Sequence, residues 1–294
     1  MLRLLLIFLL LPLATACAST AGRSPTAFVS HRISVETVGA GPDVILIPGL
    51  GSSPDVWRAT VDAVPGYRYH LVHVAGFAGK PAGANSSGAI MEPVAEEIVR
   101  YISERRLQRP AVVGHSLGGA WALMVAGRHP ELASRVMVVD MVPFLGAMFG
   151  PAGTTPDAVR PMAEQLRTGL ANATGEARRA FVEQTIASQI RTESLRPAAV
   201  RHSLDSDPAV SGQAMYELIT TDLRPEVATL NVPLTVLFVR APGVPLTDAQ
   251  MEQFYSASYA GAPSILKRIP DSYHFLMLDQ PEVFRRELRE FLAR

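Results

Sequence analysis

The chain is short of several things that would otherwise narrow its function. It has one cysteine in 294 residues, Cys17, so no intramolecular disulfide can brace the fold. It has no excess charge: 27 Lys and Arg stand against 27 Asp and Glu. Neither a basic patch for nucleic acid nor an acidic tail stands out, so the expected partner is a small or neutral molecule and no nucleic acid. There is no internal repeat, and no low-complexity tract beyond the Ala/Gly/Ser-rich stretch from Ala82 to Ala89. No metal-ligand cluster and no nucleotide motif appears, so no cofactor is expected. A glycine-rich stretch follows Ile47, but no lysine follows it at the GxxxxGK[ST] spacing.

Long apolar runs are confined to the start. Met1-Leu2-Arg3 supplies one positive charge, Leu4 to Leu13 is almost wholly apolar, and small residues run from Ala14 to Ala18. This pattern over residues 1–16 reads as a secretory signal peptide, too short for a comfortable permanent span of a bilayer. Cys17 directly after Ala-Thr-Ala resembles a bacterial lipobox, although Ala14 stands where leucine is usual. The expectation is an exported protein, either periplasmic or secreted, or anchored to a membrane through lipidated Cys17.

What the chain does have is Gly114-His115-Ser116-Leu117-Gly118. The apolar run Ala111 to Val113 before it reads as a buried strand, and Gly119 to His129 after it reads as a helix. Gly-x-Ser-x-Gly between strand and helix is the nucleophile-elbow pattern. A serine on so tight a turn takes up a strained backbone conformation that puts its hydroxyl in the open. Strand and helix then pass so close that a Cβ two residues to either side would clash, so glycine is needed at 114 and 118. The turn also aims the N–H of Leu117 at whatever Ser116 attacks.

Elsewhere strands and helices alternate, which argues a parallel sheet. Strands are read at His31 to Val38, Val44 to Ile47, Tyr69 to Val74, Arg135 to Asp140, Leu234 to Val239 and Ser264 to Ile269. Pro48-Gly49-Leu50-Gly51-Ser52-Ser53 closes the second of these and reads as an oxyanion loop, with the Leu50 N–H as donor opposite that of Leu117. Trp57, His70 and His73 read as structural. Val94, Ile98, Tyr101 and Ile102 fall on one helix face. Between Pro143 and about Asn231 the period is helical, at Ala158 to Leu170, Glu176 to Ile190 and Gly212 to Leu218, as suits a cap over the site. Thr247 with Gln250 reads as a capping box. A last helix from about Pro281 buries Phe284, Leu288, Phe291 and Leu292, with Asp279 and Glu282 placed to cap it.

Pro-Gly-Leu-Gly-Ser-Ser at 48–53, Gly-His-Ser-Leu-Gly-Gly at 114–119 and His274 in a turn before the final helix together resemble the α/β-hydrolase superfamily. The resemblance implies an α/β fold with a mostly parallel eight-stranded sheet flanked by helices. A first core part would cover 28–145, a helical cap 146–229 and a second core part 230–294. It also implies a serine hydrolase with a Ser–acid–His triad: Ser116 as nucleophile, His274 as base, and a carboxylate that orients the histidine. The sequence departs from the family where a Gly-x-x-Asp usually follows the next-to-last strand; here Val239 runs into Arg240-Ala241-Pro242-Gly243. Asp140, at the end of the strand after the elbow helix, is therefore the expected acid. Asp248 is its rival, and Asp271 reads as a turn residue. The expected reaction is cleavage of a carboxylic ester or related acyl bond of a small apolar substrate through an acyl-enzyme. An acyltransferase with the same triad, or a binding protein on this fold, remains open.

Overall fold

A computed structural model describes residues 28–241 and 243–294. The leader and Cys17 lie outside the described residues. Seven strands form one sheet: β1 (Ile33–Gly39), β2 (Asp43–Ile47), β3 (Arg68–Val74), β4 (Ala111–His115), β5 (Arg135–Val139), β6 (Leu234–Phe238) and β7 (Ser264–Arg268). Their order across the sheet is β1-β3-β2-β4-β5-β6-β7, with β1 antiparallel to β3 and every other pairing parallel. The implied eighth strand is not among the described residues. Just ahead of β1 the Ser30 hydroxyl accepts from the N–H groups of Arg32 and Ile33 and turns the chain into that strand.

The central strands are buried on both faces, as parallel strands between helix layers must be. Their side chains alternate between two apolar layers. Ile45, Ile47, Val112, Val136, Val138 and Val236 pack with α2 (Met91–Glu104), α3 (Leu117–Arg128) and α9 (Asp248–Ser258). Val44, Leu46, Val113, Met137, Val139 and Leu237 pack with α1 (Arg58–Ala63) and α11 (Pro281–Ala293). In α11 the buried Phe284, Leu288 and Phe291 recur at helical spacing, and Phe284 meets the fully buried Trp57 ring at 5.9 Å. Each such apolar side chain contributes about 1.5–3 kcal/mol by leaving water.

Between β5 and β6 the chain is helical: α4 (Pro156–Asn172), α5 (Gly175–Gln189), α6 (Arg196–Leu204), α7 (Pro208–Thr220) and α8 (Arg224–Ala228). Of these, α6 (9 residues) and α8 (5 residues) were not legible, because each is too short for an apolar period to repeat. The capping box at Thr247 and Gln250 is present at the start of α9. Asp279, by contrast, does not cap α11. It ends the short helix α10 (Leu276–Asp279), and its carboxylate accepts from the N–H groups of Arg191, Thr192 and Tyr273, tying two loops together.

Candidate active site

The first residue of interest sits where β4 hands over to α3. Ser116 has φ 53° and ψ −123°, a conformation L residues rarely hold. Its N–H donates to Val139 O at 2.9 Å and its carbonyl accepts from Gly119 N–H at 2.8 Å, so both sides of the turn are pinned. The flanking glycines have no room for a side chain. A Cβ at 114 would lie 2.0 Å from Gly118 O, and one at 118 would lie 2.2 Å from Ile47 O. Strand β2, the elbow and α3 are thus in backbone contact.

Asp140 follows β5 directly and also has positive φ, 53°. Its N–H donates to Leu237 O at 2.7 Å, fixing it beside β6. Its carboxylate is nearly buried and divides its partners. Oδ2 accepts from His274 Nδ1–H at 2.6 Å, while Oδ1 accepts from Val239 N–H at 3.0 Å and from Tyr255 O–H at 3.2 Å. Val239 is the residue after which the family's usual carboxylate is missing; here its backbone serves the carboxylate from the neighbouring strand. Asp248 is elsewhere. It opens α9, half-exposed, and pairs with Arg240 at 2.5 Å and Arg268 at 3.1 Å, the Arg240 hydrogen bond holding its carboxyl below the usual range. Asp271 is exposed on its turn and pairs with Arg191.

Ser116, Asp140 and His274 line one cavity of about 440 Å³. Among the described residues no hydrogen bond joins Ser116 Oγ to His274; nucleophile and base often close up only around substrate. His115, the last residue of β4, packs against His274. It is fully buried, its Nε2–H donates to the His274 carbonyl at 3.0 Å, and its ring lies 4.6 Å from that of His274. Burial holds it well below the ordinary histidine range, so it is neutral and supplies no charge.

The Pro48–Ser53 loop runs directly against the elbow, for a Cβ at Gly49 would lie 3.1 Å from Ser116 Cβ. Leu50 lines the cavity, and its N–H has no acceptor among the described residues. Leu117 opens α3, where an N–H has no acceptor within the helix. His70 and His73 are occupied elsewhere: His70 bridges Tyr101 and Asp43 at 2.7 and 2.8 Å, and His73 meets Phe77 O at 2.9 Å.

Apolar side chains from the helical segment close the cavity, among them Leu145, Met148, Leu166, Phe181, Val182 and Met215. Two residues at the site were not legible as such in the sequence. Tyr255 sits among other aromatics, Phe254 and Tyr259, in an ordinary helical stretch, and nothing in that pattern points to a carboxylate on another strand. Ser206, in the α6–α7 turn, donates to His202 O at 2.7 Å and accepts from Ala78 N–H at 2.8 Å, with Gly51 O 3.3 Å away, so it seats the helical segment beside the loop that carries Leu50.

The chain matches the model of the Alpha/beta hydrolase family over residues 44–287. It is 29% identical over 266 residues to the pimeloyl-[acyl-carrier protein] methyl ester esterase of Edwardsiella ictaluri (strain 93-146), covering 87% of this chain and 95% of that one. The like-named esterase of Vibrio cholerae serotype O1 is 24% identical over 261 residues, covering 87% and 96%. Among solved structures, an esterase from Exiguobacterium antarcticum superposes with a TM-score of 0.73 at 22% identity, covering 89% of this chain and 96% of that one. The enol-lactonase from Burkholderia xenovorans LB400 superposes with 0.70 at 18%, covering 89% and 96%.

Proposed function

The chain belongs to the alpha/beta hydrolase family, and we propose that it cleaves a carboxylic ester of a small, apolar substrate through an acyl-enzyme on Ser116. The observation that carries this reading is the convergence in one cavity of an exposed-elbow serine with a histidine whose Nδ1–H is engaged by a buried carboxylate. That hydrogen bond leaves His274 Nε2 free to take the Ser116 proton as Oγ attacks the carbonyl carbon. Asp140 holds the imidazole and stabilises it once protonated. The N–H groups of Leu50 and Leu117 receive the oxyanion. The protonated histidine then gives its proton to the leaving alcohol, and the acyl-enzyme is hydrolysed by water activated by the same histidine. Support for an ester also comes from relatives named as methyl ester esterases. The apolar lining favours a hydrocarbon acyl chain, and a panel of methyl and aryl esters of graded chain length would define it.

The test is covalent labelling by a fluorophosphonate together with ester turnover. Ser116→Ala should abolish labelling and lower turnover by about 10⁴-fold or more while the protein stays folded, since only one oxygen is removed. Wild-type turnover in that variant would remove the serine from the reaction. The leader pattern supports a second element of the proposal, export with Cys17 at or near the mature end. If Cys17 is lipidated, the mature protein partitions with membranes and Cys17→Ser releases it or blocks processing. A soluble mature protein with an unacylated N-terminus would leave plain secretion.

A further inference from the structure

Helix α9 and its C-terminal cap residue carry two buried tyrosines one turn apart, Tyr255 and Tyr259, whose rings lie 6.4 Å apart and nearly parallel. Tyr255 also stacks on Phe238 at 4.1 Å with 16° between the planes. The rings do similar packing, yet their hydroxyls differ in partner. Tyr259 O–H donates to the backbone carbonyl of Met141 at 2.7 Å. Tyr255 O–H donates to the carboxylate of Asp140.

We propose that Tyr255 is a positioning residue for the reaction, its hydroxyl fixing the orientation of the Asp140 carboxylate and setting the basicity of His274. The inference rests on the triad reading above. Asp140 Oδ1 receives two donors, Val239 N–H and Tyr255 O–H, which together turn Oδ2 towards His274. A donor to a carboxylate also draws charge from it. With Tyr255 O–H removed, Asp140 keeps one donor on Oδ1, gains torsional freedom and holds more charge against the imidazole. A more negative partner favours imidazolium, so the acid limb of the rate profile moves to higher pH.

Among the described residues, the titratable groups near this pair are neutral or engaged elsewhere; Arg178, which lines the same cavity, donates to the carbonyls of Ser203 and Ser206. His115 faces His274 from β4 and is neutral because it is buried. Tyr255 and Tyr259 face Asp140 from α9 and its C-terminal cap, and burial pushes both phenols far above their ordinary range, so they remain neutral donors. On the loop and helix either side of His274, Asp271 is paired with Arg191, and Asp279 is held by three backbone N–H groups. Arg240 and Arg268, at the ends of β6 and β7, are paired with Asp248.

The experiment compares Tyr255→Phe with Tyr259→Phe in the full chain. The His274 imidazole is titrated by NMR, and kcat/KM for one ester is followed against pH. In Tyr255→Phe the His274 midpoint and the acid limb should rise together by about half a pH unit. The plateau should fall by about tenfold. Tyr259→Phe, which deletes an equally buried hydroxyl, should lose stability with neither curve displaced. Coincident His274 titrations for wild type and Tyr255→Phe would overturn the proposal, as would an equal displacement in Tyr259→Phe. Should Tyr255→Phe fail to fold, site-specific 3-fluorotyrosine at 255 makes a stronger donor and should lower the midpoint; no change would overturn the proposal equally. The titration is read on the imidazole itself. Failure of the hydrolase reading would instead appear as absent turnover in the wild type.

Discussion

The sheet edge and the helices above it contribute to one cavity by different physical means. At the edge, position is set by backbone against backbone. Gly114, Gly118 and the Ile47 carbonyl leave no space for one added carbon, and Ser116 and Asp140 both hold positive φ. Of the helices above, α5 is held by far less. In α5 only Ile186 is buried, and Phe181, which lines the cavity, is 46% exposed. The rest of the segment is attached through α7, whose Val210, Ala214 and Leu218 join the core, and through a few polar ties. Ser206 accepts from Ala78 N–H beside Gly51, and the Glu217 carboxylate caps α2 by accepting from Ile90 and Met91 N–H. On the proposed reading, the edge fixes where chemistry happens, while the helical segment shapes what fits. Substitutions at the edge should strike turnover, and substitutions above should strike binding.

The sharpest break in that contrast comes from the two rival carboxylates. Asp140→Asn keeps size and shape, and its amide oxygen still accepts from Val239 and Tyr255. Its NH₂ would then face His274 Nδ1, forcing the proton to Nε2, where it blocks acceptance of the serine proton. Turnover should fall by about 10⁴-fold with little loss of stability. Asp248→Asn removes a half-exposed partner of Arg240 and Arg268 and should leave turnover close to wild type. Steady-state kinetics on both variants, with melting curves to match stability, decides between them. The reverse ranking would move the orienting acid to α9 and place part of the chemistry outside the strand ends.

How much of this was readable beforehand follows the same division. The elbow was legible because glycine at 114 and 118 answers a steric demand that sequence spacing displays directly. The sheet was legible because buried parallel strands are apolar throughout, as Val44 to Ile47 and Val136 to Val139 are. The site beneath the helices was less so. Tyr255 reaches Asp140 across 115 positions of sequence, and an aromatic at that point in a helix looks like any packing residue. Helix α6 was not legible because its 9 residues are too few for an apolar period to repeat. Asp279 was misread because a carboxylate ahead of a helix can cap that helix or serve other chains of N–H groups, and three of those lay in segments distant or ahead in sequence.

The gentlest probe of the contrast is Phe181→Ala, at the helical side of the cavity. Because the side chain is nearly half exposed, its removal should change unfolding free energy by only about 0.5 kcal/mol. A bound acyl chain long enough to reach it would bury much of the remaining apolar surface, a gain of about 1.5 kcal/mol, or roughly tenfold in affinity. That gain is the same in ground and transition states, since the ring lies away from the reacting atoms. It should therefore appear as a rise in KM for long-chain esters at unchanged kcat, and vanish for acetate esters too short to reach the ring. Chain-length profiles of wild type and variant would show this as curves that separate only beyond a threshold length. A drop in kcat for the shortest ester would mean instead that the helical segment helps to set the triad, and that the two regions are less separate than their packing indicates.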